Sequence, residues 1–260
     1  MFFIVLILIL IINIGYFFLE EGTIIRGING GEVHKRFKSI DLEVFPNNEI
    51  ITLKKHKNKK INHSYDLLKS WFPEGVNKEK IQVVKETVYS LSRKDSTDFL
   101  KNHISKQFTD TNNLIITDSS ANVGGNSISF CEYFKFVNSV EIDNKTSKAL
   151  ENNLNLYNRN NFKIYNNDYL EIQNKLVQDI VFFDPPWGGL NMNKKDKIDI
   201  KLGEMSLHDI ILNFKILPTG IIIKVPNNYL YDPLKKNNNY EIFIYPYYNQ
   251  LFIIMTKKQD

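Results

Sequence analysis

The sequence predicts an α/β fold on a central, mostly parallel sheet, and three observations carry that expectation. From residue 110 onward, short apolar runs rich in β-branched residues alternate with segments of helical period. Each run ends in a polar tip, in the order glycine loop, acid, acid, Asp184-Pro-Pro-Trp187. The last two runs, Glu241–Tyr245 and Leu251–Met255, are joined through Pro246-Tyr-Tyr-Asn-Gln250 and read as an antiparallel hairpin.

Residues 1–19 carry no charged side chain. As a helix they would extend ~28 Å, close to a bilayer's hydrocarbon thickness, so they are expected to anchor the chain in a membrane. Arg26, Lys35, Arg36 and Lys38 all follow this segment, which would keep the rest on the cytoplasmic side; without an anchor the location is cytoplasm or nucleus. Residues 20–62 form a linker with two alternating stretches, Thr23–Ile28 and Ile40–Phe45, and a lysine-rich run, Lys54–Lys60. Residues 63–108 are expected to form a helical extension, since Ile81, Val84, Val88 and Leu91 recur at helical spacing and Phe99, Leu100, Ile104 and Phe108 continue an apolar face.

The fourth segment, residues 109–260, holds the chemistry. Leu114–Asp118 is an apolar strand followed by Ser119-Ser-Ala-Asn-Val-Gly-Gly-Asn-Ser127. Glycines between a strand and a helix let the backbone approach a ligand, and the helix start favours its anionic end. The strand Val137–Asp143 ends in Glu141-Ile-Asp143, an acidic tip suited to a ribose diol, and Phe162–Asn166 leads to Asp168, suited to an adenine amine. Asp179–Phe183 and Gly220–Val225 read as the fourth and fifth strands. In such sheets ligands sit at the carboxyl ends of the strands, near the switch point.

Asp184-Pro-Pro-Trp-Gly-Gly189 specifies a reaction type. Prolines hold the chain rigid and donate no hydrogen bond, leaving neighbouring carbonyls free. The Asp184 carboxylate and the Pro185 carbonyl can both accept from one exocyclic amine while Trp187 stacks on its ring. An amine held this way is placed for N-methylation.

The chain here resembles the trimethylguanosine synthases, S-adenosyl-L-methionine-dependent enzymes that methylate N2 of a 7-methylguanosine RNA cap. Asp118–Phe130 is similar to that family's cofactor loop, Pro185-Pro-Trp-Gly-Gly189 to its signature, and Ile198-Asp-Ile200 has a counterpart there. The resemblance implies a Rossmann-like class I methyltransferase with a seven-stranded sheet. Its cofactor would be S-adenosyl-L-methionine, held by Asp118, Ala121, Asn122, Gly124, Asn126, Ser127, Glu141, Asp168 and Asp184. Asp184, Pro185 and Trp187 would serve catalysis. Trp71, Pro186, Trp187, Gly188 and Asn227 would bind substrate, with Trp187 stacked on a cationic methylguanine. The implied partner is RNA, through the 5′ cap of a small nuclear, nucleolar or messenger species.

Three positions depart from the family pattern. Asp184 stands where serine is usual, Asn122 replaces the first loop glycine, and Pro226-Asn227-Asn228 lacks the arginine that meets cap phosphate. Asn tolerates positive φ, and Lys224 or the upstream lysines are the available phosphate cations. Adenine N6 or ribosomal RNA guanine would suit Asp-Pro-Pro-Trp equally, and a non-catalytic tethered subunit is the reading from another class.

Composition sets outer bounds. A 43 % apolar chain with 18 Phe and 13 Tyr argues for a packed core, and a net charge of +4 permits RNA binding without requiring it. The single cysteine, Cys131, excludes an internal disulfide, and no Cys/His cluster has metal-ligand spacing.

Overall fold

The computed structural model describes residues 16–19, 23–26, 40, 43, 45–47, 49–187 and 196–259. Strands β1 (Tyr16–Leu19) and β2 (Thr23–Arg26) pair antiparallel. The extension follows with β3 (Ile50–Thr52), α1 (Lys59–Ser70), β4 (Gln82–Val84) and α2 (Lys94–Gln107). Strand and helix then alternate through β5 (Ile115–Asp118), α3 (Gly125–Phe130), β6 (Phe136–Val140), α4 (Asn144–Leu156), β7 (Phe162–Tyr165), α5 (Tyr169–Ile172) and β8 (Ile180–Phe183). A small pair, β9 (Lys201–Leu202) and β10 (Met205–Ser206), precedes α6 (Leu207–Leu212). The last strands are β11 (Gly220–Pro226), β12 (Tyr240–Tyr247) and β13 (Gln250–Lys257).

The sheet order is β1-β2-β12-β13-β11-β8-β5-β6-β7. Its last seven members are the expected sheet. β11, β8, β5, β6 and β7 run parallel, and β13 is wedged antiparallel between β11 and β12. This is the class I methyltransferase arrangement. The chain winds outward from β5 to β7 and then returns to β8, so a crevice opens where the winding reverses, beyond the ends of β5 and β8.

Side chains alternate across β8. Ile180 and Phe182 join the core under α2, α3 and α4, whereas Val181 and Phe183 join the one under α5 and α6. Phe182 meets Phe130 edge to face, with centroids 5.1 Å apart, an arrangement aromatic pairs favour.

Two expectations change. Tyr16–Leu19 form a strand instead of the end of an apolar helix, and β2 reaches the sheet edge by pairing Ile25 with Ile244 in parallel. The rest of the expected anchor, residues 1–15, lies outside the described residues, among which no helix is long and apolar enough to cross a membrane. The helical face expected over Ile81–Leu91 is also different: it is β4 followed by a 3-10 segment, Lys85–Ser90. The apolar spacing does mark burial there, but β4 pairs antiparallel with β3 and the Asn153 amide holds its first residue. Its Oδ1 accepts from Gln82 N at 2.9 Å and its Nδ2 donates to Gln82 O at 2.8 Å, clamping that residue as a neighbouring strand would.

Candidate active site

The loop after β5 is laced to the ends of its neighbours. Ser119 bonds Phe182 O through both its amide (3.0 Å) and its hydroxyl (2.8 Å), and Ala121 N bonds Val140 O at 2.8 Å. The loop turns at Asn122 (φ +52°) and Gly124 (φ +100°). Asn122 thus performs the glycine's conformational task, as expected. At Gly124 a Cβ would also come within 2.9 Å of Leu150 Cδ1.

Three acidic tips surround this loop. Glu141 accepts from Asn122 N (2.8 Å, Oε2) and from Asp143 N (3.0 Å, Oε1), and burial holds its carboxyl above the usual range. Asp143 is committed to capping α4 through Thr146 N and Oγ1. Asp168, half-buried, caps α5 through Leu170 N at 2.8 Å. Asp118 is fully buried, and desolvation pushes its carboxyl up to about 7. Ser127 Oγ on its Oδ2 (2.7 Å) and the nearby Ser120 amide oppose that shift, while the charges of Asp184 and Glu141 add to it. Its Oδ1 has no hydrogen-bond partner among the described residues, nor does the buried Ser120 hydroxyl. Ser127 is buried behind Asp118 and receives Ser139 Oγ at 2.9 Å, so it orients that carboxylate from within the core.

On the opposite side of the crevice, Asp184 is buried at the tip of β8. Its Oδ2 receives Lys224 Nζ at 2.8 Å, Ser92 Oγ at 3.0 Å and Asn126 Nδ2 at 3.3 Å. Ser92 Oγ in turn accepts from Lys224 Nζ (2.7 Å) and Asn126 Nδ2 (2.9 Å). Among the described residues Oδ1 of Asp184 has no hydrogen-bond partner. Pro185 is buried, Pro186 exposed and Trp187 half-buried, with Lys224 Nζ 5.5 Å from the Trp187 ring centroid. The Trp187 Nε1 is buried without a partner among the described residues, and Gly188 lies outside them.

The other two expected substrate residues, Trp71 and Asn227, are both held by contacts within the chain. Trp71 belongs to the core on one face of the sheet, under the Arg93 guanidinium at 5.9 Å, while Trp187 packs against the core on the other face. Asn227 is exposed past β11, where its side chain holds the β12–β13 turn by donating to Tyr248 O at 2.9 Å. Lys224, considered above as a phosphate cation, is only 6 % exposed and bonded to Asp184 and Ser92, so it does not reach outward to a phosphate.

Ser92 is the residue that sequence reasoning missed altogether. It comes from the extension and passes directly over the glycine loop: a Cβ on Gly125 would lie 2.5 Å from Ser92 O. Asn122 Nδ2 secures the same segment through Thr87 O at 2.9 Å. No motif surrounds Ser92. Lys224, in contrast, did carry a signal, because a lysine inside Gly220-Ile-Ile-Ile-Lys-Val-Pro226 must find a partner where it is buried.

A family model described as RNA cap guanine-N2 methyltransferase matches residues 113–245. The chain belongs to that family. That family is S-adenosyl-L-methionine-dependent. An uncharacterised protein of Acanthamoeba polyphaga mimivirus is 34 % identical over 126 residues, 46 % of this chain and 48 % of that protein; the chain spans about half the length of this curated relative. Among solved structures, a conserved hypothetical protein of Streptococcus pyogenes is similar at 16 % identity and TM-score 0.49, over 62 % of this chain and 95 % of that one. The rRNA methylase of Streptococcus thermophilus matches at 12 % identity, with TM-score 0.43 over 64 % and 95 % of the two chains. TYW2 of M. jannaschii, solved in complex with AdoMet, matches at 18 % identity and TM-score 0.39 over 61 % and 74 %.

The loop side of the crevice fits that cofactor. A buried carboxylate oxygen without a partner, at Asp118, is an acceptor for an amino acid's ammonium, and Glu141 keeps acceptor capacity on both oxygens for hydroxyl groups.

Proposed function

We propose that this methyltransferase acts on the exocyclic N2 amine of guanine in a 7-methylguanosine RNA cap. The observation that supports it best is the state of Asp184. Three donors saturate one of its oxygens and leave the other as an acceptor beside Trp187. An acceptor carboxylate selects a donor amine and disfavours a carbonyl at the same place.

When bound, S-adenosyl-L-methionine supplies an electrophilic sulfonium methyl. Asp118 and Glu141 hold its polar ends in this reading, and Asp168 receives the adenine amine. Asp184 and the Pro185 carbonyl orient the substrate amine, strip its water and favour the positive charge that develops on nitrogen. The proton then leaves to water, so no side chain has to act as a general base. Trp187 offers its ring to the base; a cationic 7-methylguanine gains a cation–π contribution there that a neutral ring lacks.

The test is binding and methylation of cap analogues with and without the 7-methyl group. Wild type should prefer the methylated cap by ~1–2 kcal/mol, the size of a partly desolvated cation–π contact. Trp187→Leu should erase that preference more than it lowers overall binding, and Trp187→Phe should retain part of it. Equal affinity of wild type for the two analogues would refute the cap reading and favour adenine N6 or ribosomal RNA guanine.

A further inference from the structure

Every residue of β11 is buried, and six of the seven are glycine, proline or aliphatic. Lys224 is the exception. A buried ammonium is costly unless it is paired and hydrogen-bonded, and removing one member of a buried pair leaves the other uncompensated. Lys224 meets both requirements inside the crevice. Its Nζ reaches Asp184 Oδ2 at 2.8 Å and Ser92 Oγ at 2.7 Å, and lies 5.5 Å from the Trp187 ring centroid. One side chain therefore touches the acceptor carboxylate, the serine supplied by the extension and the stacking ring.

We propose that Lys224 is a positioning residue for methyl transfer: it supplies the counter-charge of Asp184, ties down Oδ2 so that Oδ1 alone meets the substrate amine, and seats Trp187 beside it. The inference deepens the proposed function and rests on Asp184 being the amine's acceptor. Ser92 and Asn126 also bond Oδ2, but both are neutral. A buried carboxylate stripped of its cation takes up a proton or turns toward water, and either change removes the acceptor. An amide at position 184 would accept through its carbonyl without needing a cation, so the requirement for Lys224 should disappear together with the charge it balances.

That reciprocity is the test. Steady-state methylation of a capped RNA oligonucleotide is measured for wild type, Lys224→Met, Asp184→Ala and the double variant Asp184→Asn/Lys224→Met, with cofactor affinity by calorimetry and folding by thermal melts. Lys224→Met should lose about 100-fold in kcat, as when one preorganised electrostatic contact is removed, with cofactor Kd within about threefold because the ammonium bonds Asp184 and Ser92 and neither Asp118 nor Glu141. The double variant should recover to within about tenfold of wild type, the sign of a coupled pair. A folded Lys224→Met within threefold of the wild-type kcat would overturn the proposal, as would a double variant no faster than the single one. If Lys224→Met fails to fold, the double variant, which buries no lone charge, carries the test, and a rate as low as Asp184→Ala overturns it. Wild-type activity in Asp184→Ala, or a wild type inert on capped RNA, would instead bring down the underlying amine reading.

Discussion

Replacing Asp118 by Asn should change how stability depends on pH. The carboxyl is fully buried, with one oxygen unpartnered among the described residues, and desolvation raises it from 3.8 to about 7. Between those values the folded chain holds a proton that the unfolded chain has released. The stabilisation is complete below about pH 4, and it is lost as pH rises through about 7. With the shift taken as roughly three units, the full contribution is about 4 kcal/mol. About 3 kcal/mol of it should disappear between pH 5 and 8, because part of the titration lies below that window. Asp118→Asn keeps the shape and can still accept from Ser127, but it cannot titrate. Urea unfolding of the cofactor-free proteins at pH 5, 6, 7 and 8 gives the comparison. Burial raises Glu141 as well, and because both proteins carry it, the difference between them isolates Asp118. A difference that stays constant from pH 5 to 8 would refute the assignment of a neutral, buried Asp118.

Other expectations follow from the same geometry. Glu141→Ala should weaken S-adenosyl-L-methionine binding by ~1.5–3 kcal/mol, the range for hydrogen bonds to a charged group; an unchanged calorimetric Kd would remove Glu141 from the cofactor site. Asn153→Ala strands Gln82 N, Gln82 O and Val123 O, and should cost ~2–4 kcal/mol in denaturant unfolding because buried partners are left unsatisfied. Gly125→Ala places a methyl 2.5 Å from Ser92 O. It should destabilise by ~1–3 kcal/mol, as overpacking does, and increase proteolysis within residues 85–93; a melting temperature equal to wild type would show that the close approach is not maintained in solution.

The parts of this molecule that could be read in advance are those where chain order and side-chain type coincide. The glycine loop, the acidic tips after β6 and β7 and Asp-Pro-Pro-Trp after β8 each follow an apolar strand directly, so their convergence at one sheet edge follows from the α/β alternation. Asn122 was legible too, because few residues other than glycine tolerate its φ of +52°. The extension was harder to read. Ile81–Leu91 has the spacing of a helix face, yet its first part is a strand paired with β3 and bonded at Gln82 by Asn153, partners that lie far along the chain. Ser92 lies 92 positions from Asp184, and no local pattern announces their bond. Trp71 drew its expected role from the family resemblance alone; the fold buries it in the core on one face of the sheet, beneath Arg93.

The passage of Ser92 over Gly125 bears on where this chain can be cut. Residues 113–245 carry the family match, but a fragment with those limits would lack Ser92 and, with it, a donor to Asp184 and the peptide lying against the glycine loop. It would also lack β13, the strand that joins β12 to β11, and would expose the full length of β11 as an open edge. Strand β3 pairs with β4 just upstream of the Ser92 segment, so the smallest unit that retains the roof and the closed sheet runs from before residue 50 to at least residue 257. The folded unit is accordingly half as long again as the family match, and a fusion junction, protease site or truncation boundary placed near residue 110 would separate the glycine loop from the Ser92 segment that lies against it.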